Sequence, residues 1–231
     1  MSSKRRQAPP QATDRSEATA GSVRLLIVDD HAVVRQGLQR ILAEGFPGAV
    51  FGEASSAAQM LEQVWKATWD GIIMDVTMPG RSGVDALSEV KQARPETPVL
   101  VLSMHGEDLY AIRALKAGAS GYLTKDKAPE ELVAAVKRML AGGRYVSASL
   151  AEQLAGQVAG VHERRPHEAL SERELQVLCM LARGRTIKEI AAELSLSVKT
   201  VSTYNVRLLE KMKMTRTAEL IRYALHHRLI D

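Results

Sequence analysis

The sequence predicts a doubly wound α/β domain with a five-stranded parallel sheet, followed by an all-α domain of four short helices that includes a helix-turn-helix. Three observations carry this reading. From Val23 to Gly142, short apolar runs alternate with longer amphipathic stretches. From Leu170 onward the apolar spacing is purely helical. Between them, residues 144–167 hold few large apolar side chains and include Arg164, Arg165 and Pro166, the composition of a linker.

The strand candidates are Val23–Val28, Val50–Ala54, Gly71–Met74, Val99–Leu102 and Gly121–Leu123. They are short and mostly apolar at every position, as strands covered by helices on both faces must be. Helical spacing covers Ala32–Ala43, Ala57–Ala67, Val84–Ala93, Asp108–Ala117 and Pro129–Ala141. Pro129, Glu130 and Glu131 suit a first helical turn, and Gly142-Gly143 a stop. A short helix is expected in the linker around Ser149–Val158. Beyond it, Ser171 caps a helix that buries Leu175, Leu178 and Leu181 and ends near Gly184. Ile187–Leu194 follows, then the turn Ser195-Leu196-Ser197, a helix from Val198 to about Lys213, and a last one over Ala218–His227.

Composition narrows the class. Hydrophobic content of 45% and charged content of 25% are those of a globular protein. The chain contains no apolar run of about 18 residues, so no membrane-spanning segment is expected. Residues 1–22 carry Lys4, Arg5 and Arg6 but no apolar stretch after them, and read as a disordered leader rather than a secretory signal. The one cysteine, Cys179, sits in a helical pattern as a small buried hydrophobe and fits a reducing, cytoplasmic location. Residues 23–143 hold thirteen Lys and Arg against fifteen Asp and Glu, whereas 167–231 hold eleven against eight. Any nucleic-acid contact is therefore expected in the C-terminal part.

Chemistry gathers at the carboxyl ends of the strands, the edge where open α/β sheets place their sites. Strand one ends in Asp29-Asp30, strand three in Asp75, strand four in Ser103, and strand five runs into Lys125. Clustered carboxylates repel unless a cation joins them, and hard oxygen donors suit Mg²⁺. Lys125 supplies positive charge to an incoming phosphoryl group, Ser103 a hydroxyl, and Asp75 a nucleophile that forms an acyl phosphate.

In order and spacing, Asp29-Asp30, the run Met74-Asp75-Val76-Thr77-Met78-Pro79-Gly80 with Gly83, Ser103, and Gly121-Tyr122-Leu123-Thr124-Lys125 resemble the receiver domain of two-component signalling. The resemblance implies the flavodoxin-like strand order 2-1-3-4-5. It implies phosphorylation of Asp75 by a sensor histidine kinase, and Mg²⁺ bound by Asp30, Asp75 and the Thr77 carbonyl with help from Asp29. It also makes Ser103 and Tyr122 a switch pair, the hydroxyl moving toward phosphate and the ring turning inward behind it. Homodimers are expected, through the first and fifth helices or through the face from helix four to helix five.

In the helix from Val198, residues Val201, Asn205, Leu208 and Met212 recur at core spacing, Asn205 being an odd member. The opposite face presents Lys199, Ser202, Thr203 and Val206, flanked by Arg207 and Lys211. Basic and hydroxyl groups suit phosphates, while Ser, Thr and Val can touch base edges and thymine methyls. Residues 168–231 resemble the LuxR-type DNA-binding domain of the NarL/FixJ subgroup, through Leu170-Ser171-Glu172-Arg173-Glu174, Lys188-Glu189-Ile190-Ala191, Leu196-Ser197 and Lys199-Thr200-Val201. That resemblance implies promoter DNA as partner, contacted by Lys199, Thr200, Ser202, Thr203, Val206, Arg207 and Lys211, with RNA polymerase a further candidate. Tyr204 and Asn205 stand where the family often has His and usually a nearby basic residue, which bears on the operator sequence.

Three functions compete on these residues. The first is a response regulator whose DNA binding and dimerisation follow phosphorylation of Asp75. The second is a DNA-binding regulator independent of phosphorylation, its receiver a dimerisation scaffold. The third is a phosphohydrolase with Asp75 as nucleophile. Such an enzyme commonly carries a second acid two residues later, where this chain has Thr77, so no external substrate is expected.

Overall fold

The computed structural model describes residues 22–78, 83–104, 107–158, 165–227 and 229–230. The expected leader (apart from Ser22) and Pro79-Gly80 lie outside them. The first half runs β1 (Arg24–Val28), α1 (Ala32–Gly45), β2 (Val50–Ala54), α2 (Ala57–Lys66), β3 (Gly71–Asp75), α3 (Gly83–Ala93), β4 (Val99–Ser103), α4 (Glu107–Lys116), β5 (Gly121–Thr124) and α5 (Ala128–Leu140). All strand pairs are parallel, in the order β2-β1-β3-β4-β5. The doubly wound fold is thus the one expected. Three strands run one residue further than the apolar spacing indicated, so that Asp75, Ser103 and Thr124 are strand residues. Ladder hydrogen bonds extend past the last apolar side chain, because pairing belongs to the backbone.

The alternation of strand side chains builds two apolar layers. Leu25, Ile27, Ile73, Leu100, Leu102 and Leu123 face α1 and α5, meeting Leu38, Leu42, Leu132 and Val136. Leu26, Val28, Ile72, Met74, Val101 and Tyr122 face the other way, toward Met60 and Leu61 of α2, Leu87 of α3 and Tyr110 of α4. β3 and β4 are buried throughout, while β2, at the sheet edge, is half exposed. The opposite edge is covered. Tyr145 bridges to Gly121 in parallel, its carbonyl accepting from the Tyr122 amide at 3.0 Å. The Tyr145 hydroxyl donates to Glu131 on α5 at 2.6 Å.

The remaining elements are α6 (Ala148–Val158), a 3-10 turn (Pro166–Ala169), α7 (Glu172–Ala182), α8 (Ile187–Glu193), α9 (Val198–Met212) and α10 (Thr217–His226). The linker helix appears where its composition placed it. The 3-10 turn, with Pro166 in its first position, was not legible and falls across the expected end of the linker. Ser171 and Thr186 form capping boxes with Glu174 and Glu189, and Ser197 caps α9. The tight turn between α8 and α9 holds Ser195 at φ 55°, where a non-glycine residue is uncommon. Its neighbour Leu196 donates to the Ala191 carbonyl at 2.8 Å, which fastens the turn onto α8.

Two buried polar contacts set these helices against one another. Glu174, 3% exposed, accepts from Lys211 Nζ at 2.7 Å, tying the start of α7 to the end of α9. Burial pushes the Glu174 carboxyl up, but hydrogen bonds from Lys211 and Ser171 outweigh it and hold the group below the ordinary glutamate range. His167, in the 3-10 turn, is buried, and its Nδ1 lies 2.9 Å from the Tyr223 hydroxyl on α10. Burial depresses the His167 ring to about 4; Glu168 opposes the shift, and the charges of Arg165, His227 and Arg113 add to it.

Two outcomes are expected of this packing. A Cβ added at Gly83 would sit 2.4 Å from the Val76 carbonyl oxygen, a backbone atom that cannot rotate away. Gly83→Ala should therefore destabilise the α/β domain by about 1–3 kcal/mol, read as a lower urea midpoint with unchanged slope. For His167, the folded state disfavours the proton that the unfolded chain binds below about 6.5. Its contribution to stability is full above pH 6.5 and declines as pH falls toward about 4. Melting temperatures between pH 7 and 5 should drop more steeply in wild type than in His167→Gln; parallel curves would remove His167 as the cause.

Candidate functional site

Because all five strands run parallel and in register, with Val28 opposite Met74, Asp75 opposite Leu102 and Ser103 opposite Thr124, their carboxyl ends meet along one edge. Asp29, Asp75 and Lys125 converge there from β1, β3 and β5. Lys125 Nζ lies 2.6 Å from Asp29 Oδ2 and 2.8 Å from Asp75 Oδ2. The two carboxylates are 1% and 3% exposed, so water does little to separate their charges, and the ammonium between them offsets their repulsion. Burial by itself would depress the Lys125 ammonium; the Asp75 charge and the hydrogen bonds to both carboxylates outweigh it and raise it above the usual lysine range.

The second Asp75 oxygen is held too. Oδ1 accepts from the Thr77 amide and from the Thr77 hydroxyl, each at 2.9 Å. Asp30 stands beside this pair. Its Oδ1 lies 3.0 Å from His31 Nδ1 and, among the described residues, is a buried oxygen without a hydrogen-bond partner. A buried carboxylate oxygen without a hydrogen-bond partner, beside the Asp29 carboxylate, fits a hard divalent cation such as Mg²⁺. His31 brings an imidazole within ligand distance of Asp29 and Asp30, a neighbour that the sequence presented only as the start of a helix. The side chain is 70% exposed, and its amide donates to Asp29 Oδ1 at 2.9 Å.

Ser103 is wholly buried at the end of β4, one strand from Asp75, and Tyr122 is buried in the apolar layer beneath α4. The expected constellation is thus brought to one edge, with Tyr122 behind it. Arg35 of α1 was missed. Its guanidinium donates to the Asp29 carbonyl at 2.8 Å and to Glu53 on β2 at 2.8 Å, holding the end of β1 in place. Only the pairing of β1 with β2 puts Glu53 in reach, which sequence spacing does not reveal.

On α9, the structure brings most of the expected face together. Lys199, Ser202, Thr203, Val206 and Arg207 are exposed on one side, Val206 at 53%. Ser202 and Thr203 donate to the carbonyls of Val198 and Lys199, each at 2.9 Å, leaving their oxygens to accept from outside. Two residues differ. The Thr200 hydroxyl is engaged with the capping Ser197 at 2.7 Å, and Lys211 is paired with Glu174 instead of standing free on the face. Asn205, odd among core positions, is half-buried and bonds Thr217 at the start of α10 at 3.3 Å.

Known proteins share this organisation. Residues 25–137 match the response regulator receiver domain, and residues 168–224 match the bacterial regulatory proteins of the luxR family. Response regulator UvrY of Escherichia coli K12 is 35% identical over 210 residues, covering 90% of this chain and 96% of that protein. Response regulator GacA of Pseudomonas aeruginosa is 37% identical, covering 90% and 98%. Among solved structures, RcsB from Salmonella enterica serovar Typhimurium, bound to promoter rprA in the presence of phosphomimetic BeF3⁻, aligns with a TM-score of 0.60 at 26% identity over 88% of this chain and 98% of that one. UvrY and GacA are both response regulators. No helix among the described residues is long and apolar enough to cross a membrane. The chain belongs to the two-component response regulators, a receiver domain joined to a LuxR-type helix-turn-helix domain.

Proposed function

We propose that Asp75 accepts a phosphoryl group from a sensor histidine kinase and that this controls dimerisation and promoter binding through α9. The observation that carries the reading is the Lys125 ammonium held between Asp29 and Asp75 on the strand edge. In the transfer, an Asp75 carboxylate oxygen forms a bond to phosphorus as the bond from phosphorus to the donor histidine nitrogen breaks; the imidazole leaves and the aspartyl phosphate remains. Lys125 then turns its ammonium from Asp75 Oδ2 to the phosphoryl oxygens, and Ser103 donates its hydroxyl to another. Asp29, Asp30, Asp75 and the Thr77 carbonyl would hold Mg²⁺, which would supply positive charge to offset that of the carboxylates and the phosphoryl group. Tyr122 completes the switch behind Ser103, and the strand β5 and helix α4 that enclose it carry the change outward.

Residues 23–143 form the receiver, 144–167 the linker and 168–231 the DNA-binding domain of a cytoplasmic regulator. Lys199, Ser202, Thr203, Val206 and Arg207 face promoter DNA, with Thr200 supporting from the cap. One short helix makes few base contacts, so a homodimer on two half-sites supplies the remaining affinity. RcsB, solved bound to promoter DNA, supports the promoter as partner. Lys211 acts through the fold, by steadying α9 against α7.

Three measurements test this. Intact mass after incubation with Mg²⁺ and a small phosphodonor should show one added phosphate in wild type and none in Asp75→Ala; equal labelling moves the acceptor elsewhere. Arg207→Ala should weaken binding to all DNA sequences alike and reduce the salt slope by about one. Lys211→Ala should instead lower domain stability by about 1–3 kcal/mol, because it removes the cation beside the buried Glu174 carboxylate. A Lys211→Ala protein with unchanged melting and weaker DNA binding would return Lys211 to the contact face.

A further inference from the structure

Phosphate acceptance as set out above gives His31 no task. The residue occupies the N-cap position of α1, where a side-chain oxygen ordinarily accepts from the amides of the first turn. Its ring makes no such hydrogen bond. At 70% exposure, packing does not account for its position either. Instead Nδ1 lies 3.0 Å from Asp30 Oδ1 and 3.3 Å from Asp29 Oδ1, and the three atoms are all within 4.8 Å of one another. Asp30 Oδ1 is shut off from water and, among the described residues, has no hydrogen-bond partner. The nitrogen thus stands close to a carboxylate oxygen without a hydrogen bond joining them.

Ligands of a common cation have this spacing. Donor atoms about 2.1 Å from one metal stand about 3.0 Å apart at octahedral angles and about 3.4 Å apart at tetrahedral ones. The two separations at His31 fall within that span. Distance alone does not choose the metal; the donor set does. Carboxylates and waters suit Mg²⁺, for which an imidazole nitrogen adds little. The dications from Mn²⁺ to Zn²⁺ are held by carboxylate and imidazole together. Asp30, His31 and Thr77 also line a cleft of about 350 Å³, so a hydrated ion can reach these donors.

We propose that His31 is a metal ligand, and that its Nδ1 beside Asp29 and Asp30 gives the acidic edge a preference for a transition-metal dication over Mg²⁺. Such an ion would offset the carboxylate charges as Mg²⁺ would, leaving the part played by Asp75 unchanged. The proposal rests on the acidic edge being the cation site and does not require phosphorylation of Asp75.

The experiment uses untagged full-length wild type, His31→Ala, His31→Asn and Asp30→Asn. Calorimetric titrations with Mg²⁺ and with Co²⁺ give the affinities. Pulsed electron paramagnetic resonance of the Mn²⁺-loaded proteins reads nitrogen coordination directly. Wild type should bind Co²⁺ at least about tenfold more tightly than Mg²⁺ and show the nitrogen coupling of a bound imidazole. Removing a residue that only orients a metal ligand costs roughly 10- to 100-fold in affinity, and removing a ligand costs at least as much. His31→Ala should therefore weaken Co²⁺ by that factor, abolish the nitrogen signal and leave Mg²⁺ affinity unchanged. His31→Asn, which restores a capping side chain and an oxygen donor, should behave in the same way. Asp30→Asn should lose both ions. Co²⁺ and Mg²⁺ weakened equally in the two His31 variants would make the residue a support of the edge and overturn its role as ligand. A nitrogen signal that survives in His31→Ala or in Asp30→Asn comes from another histidine and overturns it too. Wild type that binds Mg²⁺ but does not prefer Co²⁺ overturns the metal preference alone. Binding of neither ion, or binding indifferent to Asp30→Asn, overturns the cation site itself and the proposal with it.

Discussion

The ammonium of Lys125, held between Asp29 and Asp75, is the interaction around which the receiver is arranged. Two carboxylates that are nearly inaccessible to water repel each other unless a cation lies between them. The chain supplies one from β5, at the far end of the same sheet edge. This places a demand on the fold: β1, β3 and β5 must run parallel, in register and to matching lengths. The two apolar layers meet that demand by fixing which side chains face α1 and α5 and which face α2, α3 and α4. A slip of one residue in any strand would exchange the side chains that face the two helical layers and carry the charged end out of reach.

The same device recurs at smaller scale in the helical domain. Glu174 is buried where α7 begins, and Lys211 reaches it from the last turn of α9. One ion pair therefore sets the angle of the helix whose outer face carries Lys199, Ser202, Thr203 and Arg207. Arg35 does a related job at the acidic edge, bridging the end of β1 to Glu53. In each case a buried or half-buried charge orients an element, and the exposed residues of that element are left for partners. Buried pairs contribute more to orientation than to net stability, since desolvation offsets most of their attraction.

Between the domains, the contacts concentrate on α4 and on the segment after α5. Tyr145 extends the sheet beyond β5, α6 packs on α4, and Arg113 holds the 3-10 turn. Each of these adjoins Tyr122 or the helix that covers it. A rearrangement at Ser103 and Tyr122 thus has a short physical route to the helical domain, through packed elements rather than through a free tether.

Much was legible in the residues alone. Apolar spacing gave away the five strands and all but one of the regular helical segments, because burial imposes its period on the sequence whatever the tertiary detail. Strand-end positions alone identified Asp29, Asp75, Ser103 and Lys125, since parallel strands must bring their carboxyl ends together. What spacing could not supply were contacts between elements far apart in the chain. Glu174 with Lys211, His167 with Tyr223 and Arg113 on the 3-10 turn depend on side-chain directions and helix angles that emerge only on packing. The sequence by itself determined the elements, their order and the chemistry gathered at the sheet edge. Only the tertiary structure decided how charges pair across domains and helices, because those pairings are set by three-dimensional approach and desolvation, neither of which leaves a periodic mark on the chain.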